Sequence, residues 1–107
     1  MPWFTYDQNN SGGVFDDDPD TGIGYTVVIE AQNAKDADYR AEHIGIYFNG
    51  CEDERDCDCC GDRWYPAYGK GDTEPSRYGR PLFPAPHGTS DIYVHPLTGP
   101  FYTATEH

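Results

Sequence analysis

The chain has 107 residues, the size of a single domain, with 36 % hydrophobic residues and 19 acidic against 7 basic ones, a net charge of −12. That balance lacks the basic footprint that phosphate backbones and anionic membranes require, so direct nucleic-acid or membrane binding is not expected. The opening Met1-Pro2-Trp3-Phe4 has no basic region or long apolar core, and no stretch approaches the ~20 apolar residues of a membrane span, so an intracellular protein with reduced thiols is expected.

In chain order, residues 2–6 are aromatic and predict a short strand. Asp7 to Gly13 is dense in turn formers, and Val14 and Phe15 are expected to continue a hairpin. Asp16, Asp17, Asp18 and Asp20 form an acidic loop. Residues 24–30 are rich in β-branched residues and predict the clearest strand, with Tyr25, Val27 and Ile29 on one face. Asn33 is an N-cap with Asp36 three residues on, and Ala34, Ala37, Ala41 and Ile44 form one stripe of a helix that Gly45 ends. Residues 46–48 predict another strand, Asn49-Gly50 a turn, and residues 63–65 a strand after the cysteines. Residues 66–90 are dense in proline and glycine and read as extended and irregular. Residues 91–95 and 100–104 flank Pro96-Leu97-Thr98-Gly99 as a terminal hairpin.

Four cysteines lie between residues 51 and 60. In a reducing compartment thiols gather this closely mainly to bind metal. Cys57 and Cys60, followed by Gly61, have the spacing of a zinc knuckle, and Cys51 can return to them through the five residues between. Cys59 is one candidate for the fourth ligand, and His43 is the alternative, with His87 and His95 more distant. The site would be structural, holding together a chain with a lean core. The competing reading is free thiols or a Cys51–Cys57 disulfide.

Weaker signals surround the cluster. Asp16, Asp18 and Asp20 are spaced like the start of a calcium loop, but Thr21 and Val27 occupy the positions that need Gly and Glu, so a solvated turn is expected. Residues 1–62 carry 15 acids and 3 bases, whereas residues 63–107 carry 4 of each, which concentrates the anionic charge in one part of the chain. The nine tyrosines include Tyr65 and Tyr68, and tyrosine suits interfaces because it offers area and a polar tip at low entropy cost. Arg63 is expected to pair within the fold. No nucleophile elbow or phosphate-binding glycine loop is present in the sequence.

The runs Ile44 to Cys51 and Asp56-Cys57-Asp58-Cys59-Cys60-Gly61-Asp62-Arg63-Trp64-Tyr65, with the opening Met1 to Gly13, resemble a family of small uncharacterised proteins encoded by phages of actinobacteria. The likeness covers residues 1–68 and leaves 69–107 unmatched. Members of that family typically have proline where this chain has Asp58. The resemblance implies a protein made in the cytoplasm of an infected bacterium, or carried in a virion, and supplies no activity.

The expected architecture is therefore an α+β domain spanning 1–107: a small, mostly antiparallel sheet, one helix and a cysteine-rich, zinc-knuckle-like loop. The expected function is a non-enzymatic, zinc-stapled module that binds a host or phage protein with a basic surface, in a host-takeover or anti-defence role. Asp16, Asp17, Asp18, Asp20, Tyr65 and Tyr68 are the candidate contacts. The alternatives are a minor virion or assembly component and a small metal-dependent hydrolase with an acidic base.

Overall fold

The computed structural model describes residues 1–9, 15, 17–52, 61–86 and 90–106. These form strands β1 (Trp3–Asp7) and β2 (Thr26–Glu30), helix α1 (Ala34–Ile44), and strands β3 (Ser76–Arg77), β4 (Arg80–Pro84), β5 (Ile92–His95) and β6 (Tyr102–Glu106). The strands make one sheet in the order β1-β2-β5-β6-β4-β3. All neighbours are antiparallel except β2 and β5, which run parallel with Val28 opposite Val94.

Strand β2 sits inside the sheet, and its first four residues, Thr26 to Ile29, are buried. Val27 and Ile29 join Phe4 and Tyr6 of β1 under the helix, where Ala37 and Ala41 present the apolar stripe. Val28 faces the other way, into a second cluster with Leu82, Ile92, Val94 and Ala104, partly covered by Trp3 and Tyr102. The period of two along each strand thus divides the core between the two faces of the sheet.

Helix α1 forms as its end signals dictate. The Asn33 side chain accepts the Asp36 N–H, and Gly45, at φ +112°, returns its own N–H to the last turn.

The outer strands turn back toward each other. Trp3 and Asp72 exchange both main-chain hydrogen bonds, Thr5 Oγ1 donates to the Ser76 carbonyl at 2.7 Å, and Arg77 Nε lies 3.1 Å from Asp7 Oδ1. The sheet therefore comes close to closing on itself between β1 and β3.

This corrects the expected architecture. The protein is mostly sheet, nearly closed and barrel-like, with one short helix, rather than an α+β domain organised around a zinc-knuckle-like loop. Three of that loop's cysteines, Cys57, Cys59 and Cys60, lie outside the described residues. Two further expectations are corrected. Residues 46–48 and 63–65 form no strand: the Ile46 N–H is spent on the helix cap at Ala41, and Ile46 and Trp64 plug the core instead. Within 66–90, β3 and β4 appear where irregular chain was expected. Pro81 and Pro84 fall near the ends of β4, where a missing N–H costs least, and pairing with β6 supplies what local propensity does not. The predicted hairpin partner Val14 lies outside the described residues.

Candidate functional site

The main chain of β1 faces two ways. Its even-numbered neighbours turn toward β2: the Pro2 carbonyl accepts the Ala31 N–H at 3.0 Å, and the Gln8 N–H donates to the Tyr25 carbonyl at 2.8 Å. The odd-numbered residues turn outward. Trp3 pairs there with Asp72 at 2.9 and 2.8 Å, and the Asn9 N–H donates to the Arg63 carbonyl at 2.8 Å. Between these anchors Thr5 and Asp7 also turn outward, and no main-chain group among the described residues pairs with them.

The chain from Arg63 to Asp72 bows away from β1 and leaves a groove of about 400 Å³. Trp3 to Asp7 form one side, and Tyr65 to Tyr68, Gly71 and Asp72 form the other. Tyr65 is 54 % exposed and Tyr68 is 90 % exposed.

Three features hold that wall in place. Trp64 is 1 % exposed in the core. The Ala67 N–H donates to Asp38 Oδ1 at 2.8 Å, and the Tyr6 hydroxyl donates to the same oxygen at 2.7 Å. Gly71, at φ +76°, lets the chain return to Trp3, where a Cβ would lie 2.9 Å from the Trp3 carbonyl oxygen. Burial first, then the hydrogen bond and charge of Asp38, push the Tyr6 hydroxyl well above its ordinary pKa, so it stays a donor.

Asp7 and Asp72 are among the residues lining the groove, and the carboxylates of both are engaged by β3. Asp7 is bonded to Thr26 Oγ1 as well as Arg77, and Asp72 Oδ2 accepts from Ser76 Oγ. None of the residues lining the groove is basic.

One end of the groove adjoins the base of the cysteine loop. Arg63, 6 % exposed, donates from Nη1 to Gln8 Oε1 at 2.9 Å and from Nε to the Tyr47 hydroxyl at 3.1 Å. Asn9 Nδ2 donates to the Asp62 carbonyl, and Asp62 Oδ1 accepts the Cys51 N–H at 3.0 Å. This last bond brings together the two ends of the segment that carries Cys57, Cys59 and Cys60.

The expected metal ligands are placed only in part. Cys51 is half-buried at the loop base, whereas Cys57, Cys59, Cys60 and His87 lie outside the described residues. His43 stands in the last turn of α1, its Nδ1 donating to the Tyr39 carbonyl at 2.9 Å and its ring 4.4 Å from the Tyr39 ring. Among the described residues no three His, Cys, Asp or Glu side chains converge as a metal site.

The expected contact residues do not share one pocket. Asp16 lies outside the described residues, and Asp17 lines a small cavity with Phe15, Tyr25 and Asp91. Asp18 builds a turn: its carbonyl accepts from Thr21, Gly22 and Ile23, and its Oδ1 accepts the Asp20 N–H. Tyr65 and Tyr68 stand together on the β1 groove.

Sequence reasoning missed a second cleft, of about 320 Å³, lined by Ile29, Tyr39, Arg40, His43, Ile44 and His95. Tyr39 and His43 are four apart on a helix, a spacing that puts them on one face and could have signalled it. Arg40 donates to the Glu30 carbonyl and to the Pro96 carbonyl at 2.9 Å. His95 is buried and donates from Nε2 to the Gly22 carbonyl at 2.8 Å. Burial first, then the Arg40 charge, lowers its pKa despite that hydrogen bond.

Fold and groove together define a small, mostly-sheet protein, nearly closed, with a tyrosine-walled opening at its seam. The chain belongs to the family described as a domain of unknown function (DUF7296), which matches residues 1–105. No curated protein and no solved structure matches it. No helix among the described residues is long and apolar enough to cross a membrane.

Proposed function

We propose that this protein is a binding module that recognises another protein through the groove beside β1. The observation that carries the reading is the pairing of two exposed tyrosines, Tyr65 and Tyr68, with an open strand edge across a cavity of about 400 Å³. Tyrosine gives contact area and a polar tip with few rotors to freeze, which suits it to the centre of an interface. The net charge of −12 favours a partner with a basic surface, through faster encounter and selection against acidic competitors.

The likeness to phage-encoded proteins supports an origin in an infected bacterium, with a host or phage protein as the partner. Zinc held by Cys51 with Cys57, Cys59 and Cys60 belongs to the same reading as a structural staple, supported by their spacing and by the Cys51–Asp62 bond that closes the loop base.

The test is affinity capture from the lysate of an infected host, with the wild-type chain and a Tyr65→Ala/Tyr68→Ala variant side by side. A partner retained by the wild type and lost by the variant, at an unchanged melting temperature, is the expected result. Retention should also weaken as salt rises. Equal retention by both proteins would remove the groove from the reading.

A further inference from the structure

We infer that the groove takes an extended, basic polypeptide segment that pairs with β1 as an added strand, through the outward main-chain groups of Thr5 and Asp7. This rests on the binding-module reading and adds the mode and chemistry of the partner.

The hydrogen-bond pattern of β1 carries the inference. Trp3, Thr5, Asp7 and Asn9 all turn their main-chain groups away from β2. The first and last are bonded, to Asp72 and Arg63, and the middle two face the groove. Thr5 and Asp7 therefore present two N–H donors and two carbonyl acceptors, with the two residues about 7 Å apart along the strand. A single extended main chain offers the complementary groups at that repeat, which is how an exposed strand edge recruits a peptide.

The seam is fixed open by what surrounds it. Asp38 and buried Trp64 hold the 64–68 wall on the helix side. On the opposite face, Thr5 and Asp7 reach β3 with their side chains, which leaves their main chain unpaired in the ladder. An exposed edge normally risks uncontrolled pairing between chains. Here the bow of residues 64–71 restricts access to one segment.

Charge selects the segment. No lining residue is basic, the nearby Arg77 is engaged by Asp7 and Glu106, and the chain carries a net charge of −12. Lysine or arginine in the incoming strand would be drawn by this net negative field, while acidic segments would be repelled.

The experiment uses the ¹⁵N-labelled full chain and a synthetic peptide of alternating lysine and valine, at low ionic strength. Before addition, the Thr5 and Asp7 amides should exchange with solvent much faster than those of Phe4 and Tyr6. With peptide, both amides should shift downfield and their exchange should slow by about the ratio of peptide concentration to Kd. Thr5→Pro, which removes the outward N–H, should abolish binding, and Thr5→Val, which keeps it, should bind like the wild type. A peptide N-methylated at alternate residues should not bind, so the test stands even where Thr5→Pro does not fold.

Several results would overturn the inference. Slow Thr5 and Asp7 exchange in the free protein would mean the edge is already paired. Shifts at Tyr65 and Tyr68 without shifts at Thr5 and Asp7, or equal binding of the N-methylated peptide, would leave a tyrosine-based binding module without strand addition. Equal binding of an alternating glutamate–valine peptide would remove the basic partner. Absence of any response to the lysine peptide would overturn the strand-addition mode, whereas the binding-module reading would still be decided by the tyrosine variant.

Discussion

Tyr6 on β1 and Asp38 on α1 meet through a 2.7 Å hydrogen bond, and the same Asp38 oxygen also holds the Ala67 N–H at 2.8 Å. One carboxylate thereby joins the helix, the edge strand and the groove wall. Asp38→Ala leaves the Tyr6 hydroxyl and the Ala67 N–H without that acceptor, and a hydrogen bond to a charged group contributes about 1.5–3 kcal/mol. A loss of about 2–4 kcal/mol in urea unfolding is expected, with Asp38→Asn costing less because its carbonyl still accepts. Tyr6→Phe and Asp38→Ala should be less than additive, since each removes the same bond. Strict additivity in the double-mutant cycle would show that the bond contributes nothing.

Trp64 ties the groove to the core. It is 1 % exposed and packs in the helix-side cluster with Phe4, Val27 and Ala37. Trp64→Ala should cost about 3–5 kcal/mol, a large share of the total stability of a domain this size. Trp64→Phe should cost less than half as much and preserve the groove. Chemical denaturation monitored by circular dichroism checks both, and a cost below about 1 kcal/mol for Trp64→Ala would mean the indole is not packed as described.

The parts of this fold that local chemistry encodes were legible in the sequence. Asn33 and Gly45 marked both ends of α1, and the β-branched run after Gly24 marked β2. Tyr25 was misplaced: it precedes β2 and is half-exposed, with Phe15 against its ring. Strand β4 was hidden because its two prolines argue against a strand, and only pairing with distant β6 reveals it. Ile46 and Trp64 looked like strand residues because apolar side chains that plug a core from a loop carry no period. Of the site, Tyr65 and Tyr68 were legible from composition. The outward groups of Thr5 and Asp7 were not, because main-chain vacancy depends on which strands fail to meet.

Metal content decides the proposed staple. Purified protein is expected to carry about one zinc per chain, with Cys51→Ser and Cys57→Ser each lowering that figure. Chelation should depress the melting temperature by about 10 °C or more, because binding free energy at a structural site is folding free energy. His43→Ala should leave zinc content unchanged where Cys59 completes the set, and lower it where the imidazole does. Zinc-free protein whose melting curve ignores a chelator would overturn the staple while leaving the β1 groove untouched.

The last prediction concerns His95, whose imidazole is buried between α1 and the Asp18–Ile23 turn. Its Nε2–H donates to the Gly22 carbonyl, Phe101 stacks 5.2 Å away, and the Arg40 guanidinium and the His43 ring share its cleft. Burial and then Arg40 lower its pKa below the ordinary value of 6.5, so the folded state favours the neutral ring. The unfolded chain then takes up the proton at higher pH than the folded one, and folding loses stability as pH falls through and below about 6.5. Acid also neutralises carboxylates on a chain of net charge −12, which relieves repulsion and works in the opposite direction. The two effects separate by difference. His95→Gln keeps a donor for the Gly22 carbonyl and removes the titrating group. Between about pH 8 and about pH 5 the wild type should lose more, or gain less, in melting temperature than His95→Gln. Parallel pH profiles for the two proteins would show that His95 titrates in the fold as it does in the unfolded chain.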